Sequence, residues 1–206
     1  MRRWPSLAAT LCVLAAGFGA LALGTDGWTV WTAESARRHA VLANPRALPD
    51  YPLRDSRGAS LSLGSGDERL AVVDLIYTRC PTVCQAMGLQ FRQLQGELAT
   101  FDWLDQVELV SVTFDPANDD DTALNNYLRR YGAVEPYWRA ARFVDPGHLD
   151  EMLETLGVVV IPEPRLGFVH NAAFYLIDDG RVVEILDWDD RVELFEAIRQ
   201  RLETRS

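Results

Sequence analysis

Cysteine and histidine are scarce in this chain, three of each among 206 residues, and no cysteine follows Cys84. That scarcity excludes a disulfide-stapled scaffold and leaves no obvious four-ligand cluster for a structural zinc ion. Basic charge is also in deficit: 20 basic against 30 acidic residues give a formal net charge of −10. With no basic patch interleaved with aromatics either, nucleic acid is excluded as a partner. The acidic balance suits solubility, a basic partner or the concentration of cations. No internal repeat or low-complexity tract occurs. What is present, at 48% hydrophobic content, suffices for one domain of about 150 residues plus a leader, long enough to bury a core.

The leader opens with Met1-Arg-Arg and continues from Leu7 to Leu23 without a charge. It reads as a membrane anchor or a signal peptide over residues 1–24, and either sends the rest out of the cytoplasm, Arg2 and Arg3 staying inside. Ala20-Leu21-Ala22 is a passable cleavage site, but the run is long for a signal peptide, and Trp28 and Trp31 suit interfacial anchors, so the anchor is expected. Cys12 lies within this run. Residues 25–46 are a connector, either a tether or an amphipathic helix with Arg37 and Arg38 facing anionic lipid; His39 there is expected on the surface. The domain is residues 47–206.

Its centre is Asp74-Leu-Ile-Tyr-Thr-Arg-Cys80-Pro-Thr-Val-Cys84. An apolar strand from Leu70 to Tyr77 runs into a Cys-x-x-x-Cys pair, after which Met87, Phe91, Leu94 and Leu98 recur at helical spacing. Free N–H groups and the helix dipole favour a thiolate where a helix begins, so a depressed pKa is expected for one or both thiols. At i, i+4 spacing the cysteines share a face about 5–6 Å apart. They can grip one metal ion or close a disulfide. In an oxidising compartment such a pair is a disulfide, a redox couple or a metal site.

Tyr77-Thr78-Arg79-Cys80-Pro81-Thr82-Val83-Cys84, then Val110-Ser-Val-Thr-Phe-Asp115-Pro116 with Asp119, then Phe168-Val-His170-Asn-Ala-Ala-Phe-Tyr-Leu resemble three signatures of the SCO/SenC family. The resemblance covers roughly residues 47 to 203. It implies an α/β thioredoxin-like fold, with a central mixed sheet flanked by helices and an N-terminal hairpin extension. It also implies copper delivery to cytochrome c oxidase, chiefly its dinuclear copper site, from a domain on the periplasmic side of a bacterial-type inner membrane. The family's copper ligands carry over to Cys80, Cys84 and His170, with a Cys80–Cys84 disulfide as the oxidised form and Asp115 in a supporting role behind the ligands. Partners would be the oxidase's copper-binding subunit, a thiol reductant and a copper donor. Gln85 stands where many members have proline, and Val169-His170-Asn171 where they have Asp-His-Ser.

The remaining pattern fits that fold. Strand-turn-strand punctuation surrounds Arg57-Gly58; a helix over Gln85 to Ala99 leads to an apolar strand over Val107 to Phe114, a βαβ order that implies parallel strands. Asp119-Asp-Asp121 is expected to cap a helix running to Tyr131. A strand at Arg142-Phe-Val precedes a short helix from His148 to Gly157, with His148 on the surface. Residues 158–167 read as a loop leading to His170, and Asp178-Asp-Gly180 as a hairpin turn. A helix from Asp189 through Leu202 closes the chain.

Two thiolates and an imidazole suit Cu(I), or Cu(II) by the Irving–Williams order. Delivery requires ligand exchange, so an exposed edge is expected. The rival is a thiol–disulfide reductase in which Cys80 attacks and Cys84 resolves; a copper or redox sensor is a further alternative. Phe168-Val-His-Asn lacks the proline that oxidoreductases of this fold usually carry facing their thiols. Tyr77 also stands where a peroxiredoxin needs threonine.

Overall fold

The computed structural model describes residues 4–25, 27–28, 30–63, 69–164 and 167–205, with side chains of the first helix described from Ala9 onward. The reading of Arg2 and Arg3 as cytoplasmic flanks, and part of the 158–167 loop, lie outside the described residues. Helix α1 (Trp4–Gly24) carries the uncharged run, and its described side chains, Leu11, Val13, Leu14 and Phe18 among them, are mostly exposed. Among the described residues no helix is long and apolar enough to cross a membrane. Trp28 folds back on Phe18, ring centroids 4.8 Å apart, and packs against Trp31 at 5.6 Å.

Ten strands follow among the described residues: β1 (Arg46–Ala47), β2 (Leu53–Asp55), β3 (Ser60–Leu61), β4 (Leu70–Ile76), β5 (Val107–Thr113), β6 (Trp138–Phe143), β7 (Val160–Glu163), β8 (Gly167–His170), β9 (Ala173–Asp178) and β10 (Arg181–Asp187). Eight form one mixed sheet in the order β1-β10-β9-β4-β5-β6-β2-β3, and β7 pairs with β8 alone. β4, β5 and β6 are parallel, while β9 runs antiparallel to β4 and β10 to β9. Every residue of β4 and β5 is buried, as their near-continuous apolar runs require of central strands covered on both faces.

The covering helices are α2 (Ala33–Ala43), α3 (Val83–Thr100), α4 (Asp121–Tyr131), α5 (His148–Leu156) and α6 (Arg191–Arg205). Phe91 of α3 stacks on Phe174 of β9 at 5.1 Å and meets Trp138 edge-on at 5.5 Å. Tyr175, the next residue along β9, faces the other side of the sheet, where the Arg37 guanidinium of α2 lies 5.7 Å from its ring centroid. α3 and α4 approach closely at Gly88, where a Cβ would come within 2.7 Å of the Tyr131 ring. The central mixed sheet flanked by helices is therefore as expected. The hairpin around Arg57-Gly58 forms as β2–β3, and because β2 pairs with β6 it extends the main sheet at one edge.

Four expectations are corrected. Arg37 and Arg38 do not face lipid: α2 begins with a Thr32–Ser35 capping box, buries Val41 completely and packs on β10. Arg37 donates to Leu156 O at 2.5 Å and to the Tyr175 hydroxyl at 3.3 Å, and Arg38 pairs with Asp187. Docking buries the apolar stripe and gives both guanidiniums fixed acceptors, which outweighs solvation of a free amphipathic helix. The chain has no lysine, so every such clamp uses a planar fork suited to two acceptors. His148 is half-buried against Tyr51, 5.9 Å between ring centroids, and its Nδ1 is buried. The loop before His170 is a hairpin, β7–β8, with Val160 opposite His170. Of the three acids 119–121, only Asp120 caps α4, accepting from the Ala123 N–H at 2.8 Å; Asp119 is fully buried.

Candidate metal centre

β4 ends at Ile76, and the chain turns so that the Cys80 N–H donates to Tyr77 O at 3.1 Å. α3 starts at Val83 with no side-chain cap from Thr82. Cys80 therefore lies ahead of the helix and Cys84 in its first turn, which corrects the picture of two cysteines on one helical face. The Cys84 N–H donates to Cys80 Sγ at 3.3 Å. A sulfur ahead of the helix can accept from the free N–H groups of the first turn, and one inside it cannot.

The two thiols consequently diverge. A hydrogen bond from Cys84, with the backbone N–H groups of Thr82 and Cys84 behind it, overcomes burial and draws Cys80 down to about 5. Donating that hydrogen bond holds the proton on Cys84, and burial pushes its pKa further up. The pair is unbridged in this structure, a thiolate beside a thiol.

The cysteines are also covered. Cys80 is 4% and Cys84 2% exposed, against the expectation of an exposed edge. Tyr77, Phe114 and Phe168 pack as a triangle with ring centroids 5.3 to 5.6 Å apart. Burial pushes the Tyr77 phenol up to about 12, with the Cys80 charge adding to it. Two cavities reach the site. A cavity of about 410 Å³ meets Arg79, Cys80, Gln85 and Arg130, and another of about 450 Å³ meets Glu34, Arg38, Val83, His170 and Trp188.

His170 ends β8 with Nε2 4.0 Å from Cys84 Sγ and its ring 5.0 Å from that of Phe114. Burial draws it down to about 4, so the imidazole is neutral and has a lone pair to give. Bonds of the length zinc makes, about 2.3 Å to sulfur and 2.0 Å to nitrogen, sum to more than that separation, so one ion can touch both atoms. Among the described residues no three His, Cys, Asp or Glu side chains stand close enough together to hold a metal ion as they are. Completing a three-donor set with Cys80 thus requires side-chain movement.

Asp115, expected behind the ligands, acts at one remove. Its carboxylate accepts from Arg79 at 2.9 Å and from Asn118 at 2.8 Å, which steadies the residue before Cys80. Sequence reasoning read Asp119 as a cap, yet it is the buckle of this loop: it accepts from the Thr78 N–H at 3.0 Å and from the hydroxyls of Thr78 and Thr113 at 2.5 Å each. The signal available was an Asp-Pro turn that returns a polar residue toward Thr113 at the end of β5. Asp74 was likewise unassigned. Both its carboxyl oxygens are buried without a hydrogen-bond partner, and burial pushes it up to about 7.

The SCO1/SenC family model matches residues 40–203. A SCO1 protein homolog of Bacillus subtilis is 26% identical over 137 residues, covering 65% of this chain and 70% of that protein. Among solved structures, a SCO1/SenC family lipoprotein from Bacillus anthracis is 19% identical with a TM-score of 0.69, covering 77% of this chain and 98% of that one. Yeast Sco1 with copper bound is 17% identical with a TM-score of 0.61, covering 77% and 90%. These two share the thioredoxin-like sheet and its helices. With four-fifths of its length inside the family match, this chain belongs to the SCO1/SenC family.

Proposed function

We propose that this protein binds copper through Cys80, Cys84 and His170 and delivers it to the dinuclear copper site of cytochrome c oxidase during assembly. The observation that supports this is the meeting of a low-pKa thiolate, a second thiol and a neutral imidazole, with Nε2 4.0 Å from Cys84 Sγ. Two sulfurs and one nitrogen suit copper in either oxidation state. A set of three donors leaves room for a recipient's ligands to replace them one at a time. The recipient would be the oxidase's copper-binding subunit, with a copper donor and a thiol reductant upstream. The uncharged run from Leu7 to Leu23 behind Arg2 and Arg3 supports attachment at the inner membrane with the domain in the periplasm, which fractionation and N-terminal sequencing of the mature protein would check.

A second reading rests on the same thiols: a low-pKa Cys80 beside a proton-holding Cys84 is also the division of labour of an attacking and a resolving thiol. A reductase would keep the oxidase's copper-binding cysteines reduced. The His170→Ala variant separates the two. Copper delivery predicts loss of Cu(II) affinity beyond the roughly 10–100-fold typical of outer-shell changes, weaker loss for Cu(I), and failure of oxidase assembly that added copper restores. Normal assembly without His170, but not without Cys80, would favour the reductase.

A further inference from the structure

A histidine that binds a metal through one nitrogen normally donates its other N–H to a fixed acceptor, which sets the direction of the ring. His170 has none: its Nδ1 is buried without a hydrogen-bond partner. Ring packing on Phe114 at 5.0 Å limits tilt and Nε2 meets only Cys84 Sγ, at 4.0 Å, so no hydrogen bond from the far side of the ring fixes its direction. Its aim must come from the backbone that carries it.

That backbone is tied down one residue later. The Asn171 side chain accepts from the Val159 N–H at 2.7 Å and donates to Gly157 O at 3.0 Å, fastening the end of β8 to the segment leading into β7. The same amide nitrogen lies 3.5 Å from Glu34 Oε2 of α2. Glu34 is itself held by Arg37 Nε at 3.0 Å and Arg38 Nε at 3.0 Å. Those arginines are in turn anchored on the domain, Arg37 at Leu156 O and the Tyr175 hydroxyl, Arg38 at Asp187. Arg37 is seated so tightly that a Cβ on Gly157 would come within 2.7 Å of its Cδ. Glu34 and His170 line the same cavity.

We propose that Glu34 is a positioning residue for His170: through Asn171 it fixes the backbone from which the imidazole reaches the metal, making α2 part of the site. This rests on the copper reading, and it extends the site into the segment between α1 and the sheet. Glu34 touches no reacting atom, so its removal should disturb ligands in proportion to how far they depend on His170. Cu(II), which prefers nitrogen donors, depends on it strongly, and Cu(I) can be held by the two thiolates.

The test uses the full chain carrying Glu34→Ala, with Cu(II) and Cu(I) added separately to reduced protein. Expected are a fall in Cu(II) affinity of about 10–100-fold and an altered thiolate-to-Cu(II) charge-transfer band, while Cu(I) affinity changes less than about threefold. Glu34→Gln, whose amide oxygen can still accept from Asn171, should restore most of the band. If Glu34→Ala fails to fold, Asn171→Ala reads the same link from the other end. An unchanged Cu(II) band and affinity in a folded variant with lowered thermal stability would overturn the proposal and leave Glu34 a structural ion pair. Absence of copper binding by the unsubstituted protein would instead defeat the copper reading itself.

Discussion

The two halves of the site are held in different ways. The cysteine half is built from short, charge-assisted hydrogen bonds: Asp119 on Thr78 and Thr113, Asp115 on Arg79, the Cys84 N–H on Cys80. The histidine half is a two-stranded hairpin with aromatic packing, a single asparagine and a neutral ring lacking a partner at Nδ1. The thiolate is prepared in advance and the imidazole is aimed less firmly. Such an asymmetry suits a donor that releases its cargo, because a metal can leave from the loosely held ligand first while the charge on the sulfur stays stabilised.

The comparison breaks most completely at Asp119. Asp119→Ala leaves the Thr78 N–H and two hydroxyls without their acceptor, at about 1–3 kcal/mol for each group that stays buried and unpaired. Urea melts should show a loss of about 3–4 kcal/mol, with copper binding impaired through the slackened Cys80 loop. A loss below about 1 kcal/mol would mean that the cysteine half is not held as described.

Asp74 sharpens the comparison from beneath the cysteines. Burial raises its pKa from the ordinary 3.8 to about 7 in the folded state. It therefore favours the folded state fully below pH 3.8, and that contribution is lost as pH rises to about 7. A rise of that size corresponds to about 4 kcal/mol as an order of magnitude. Asp74→Asn, which cannot ionise, should gain on the unsubstituted protein by roughly 3–4 kcal/mol between pH 4 and pH 8 in parallel melts. Equal pH profiles would show that folding does not raise the Asp74 pKa.

The smallest effect concerns protons. At pH 7 Cys80 and His170 are already deprotonated, with values of about 5 and 4, whereas Cys84 holds its proton. Binding of Cu(I) to both sulfurs should then release about one proton per ion. Calorimetry in buffers of different ionisation enthalpy measures this directly; release of two would mean that Cys80 is not a thiolate beforehand. Affinity should therefore fall about tenfold per pH unit on acidification from pH 7, and more steeply below about 5, where protons also compete for Cys80.

Much of this was legible in the chain. Strand β4, the Cys-x-x-x-Cys at its end, the following helix and the hairpin at Asp178-Asp-Gly180 are set by alternation, periodicity and turn chemistry, which are relations among near neighbours. The helix over His148–Leu156 and its Gly157 stop belong with them, since a glycine at φ +68 closes it. β6 was found late, at Arg142, although it begins at Trp138, because Trp-Arg-Ala-Ala-Arg-Phe does not alternate cleanly.

By itself the sequence determined the order of elements, because local pattern suffices for it, and its resemblance to a known family nominated Cys80, Cys84 and His170 as metal donors. Only the tertiary structure decided which thiol carries the charge, which of three consecutive acids goes inside, and where α2 lies. Those outcomes depend on partners far apart in the chain, Asp119 reaching Thr78 across 41 positions and Arg37 reaching Tyr175 across 138. They depend also on desolvation, which belongs to a side chain's surroundings and is written in no single stretch of residues.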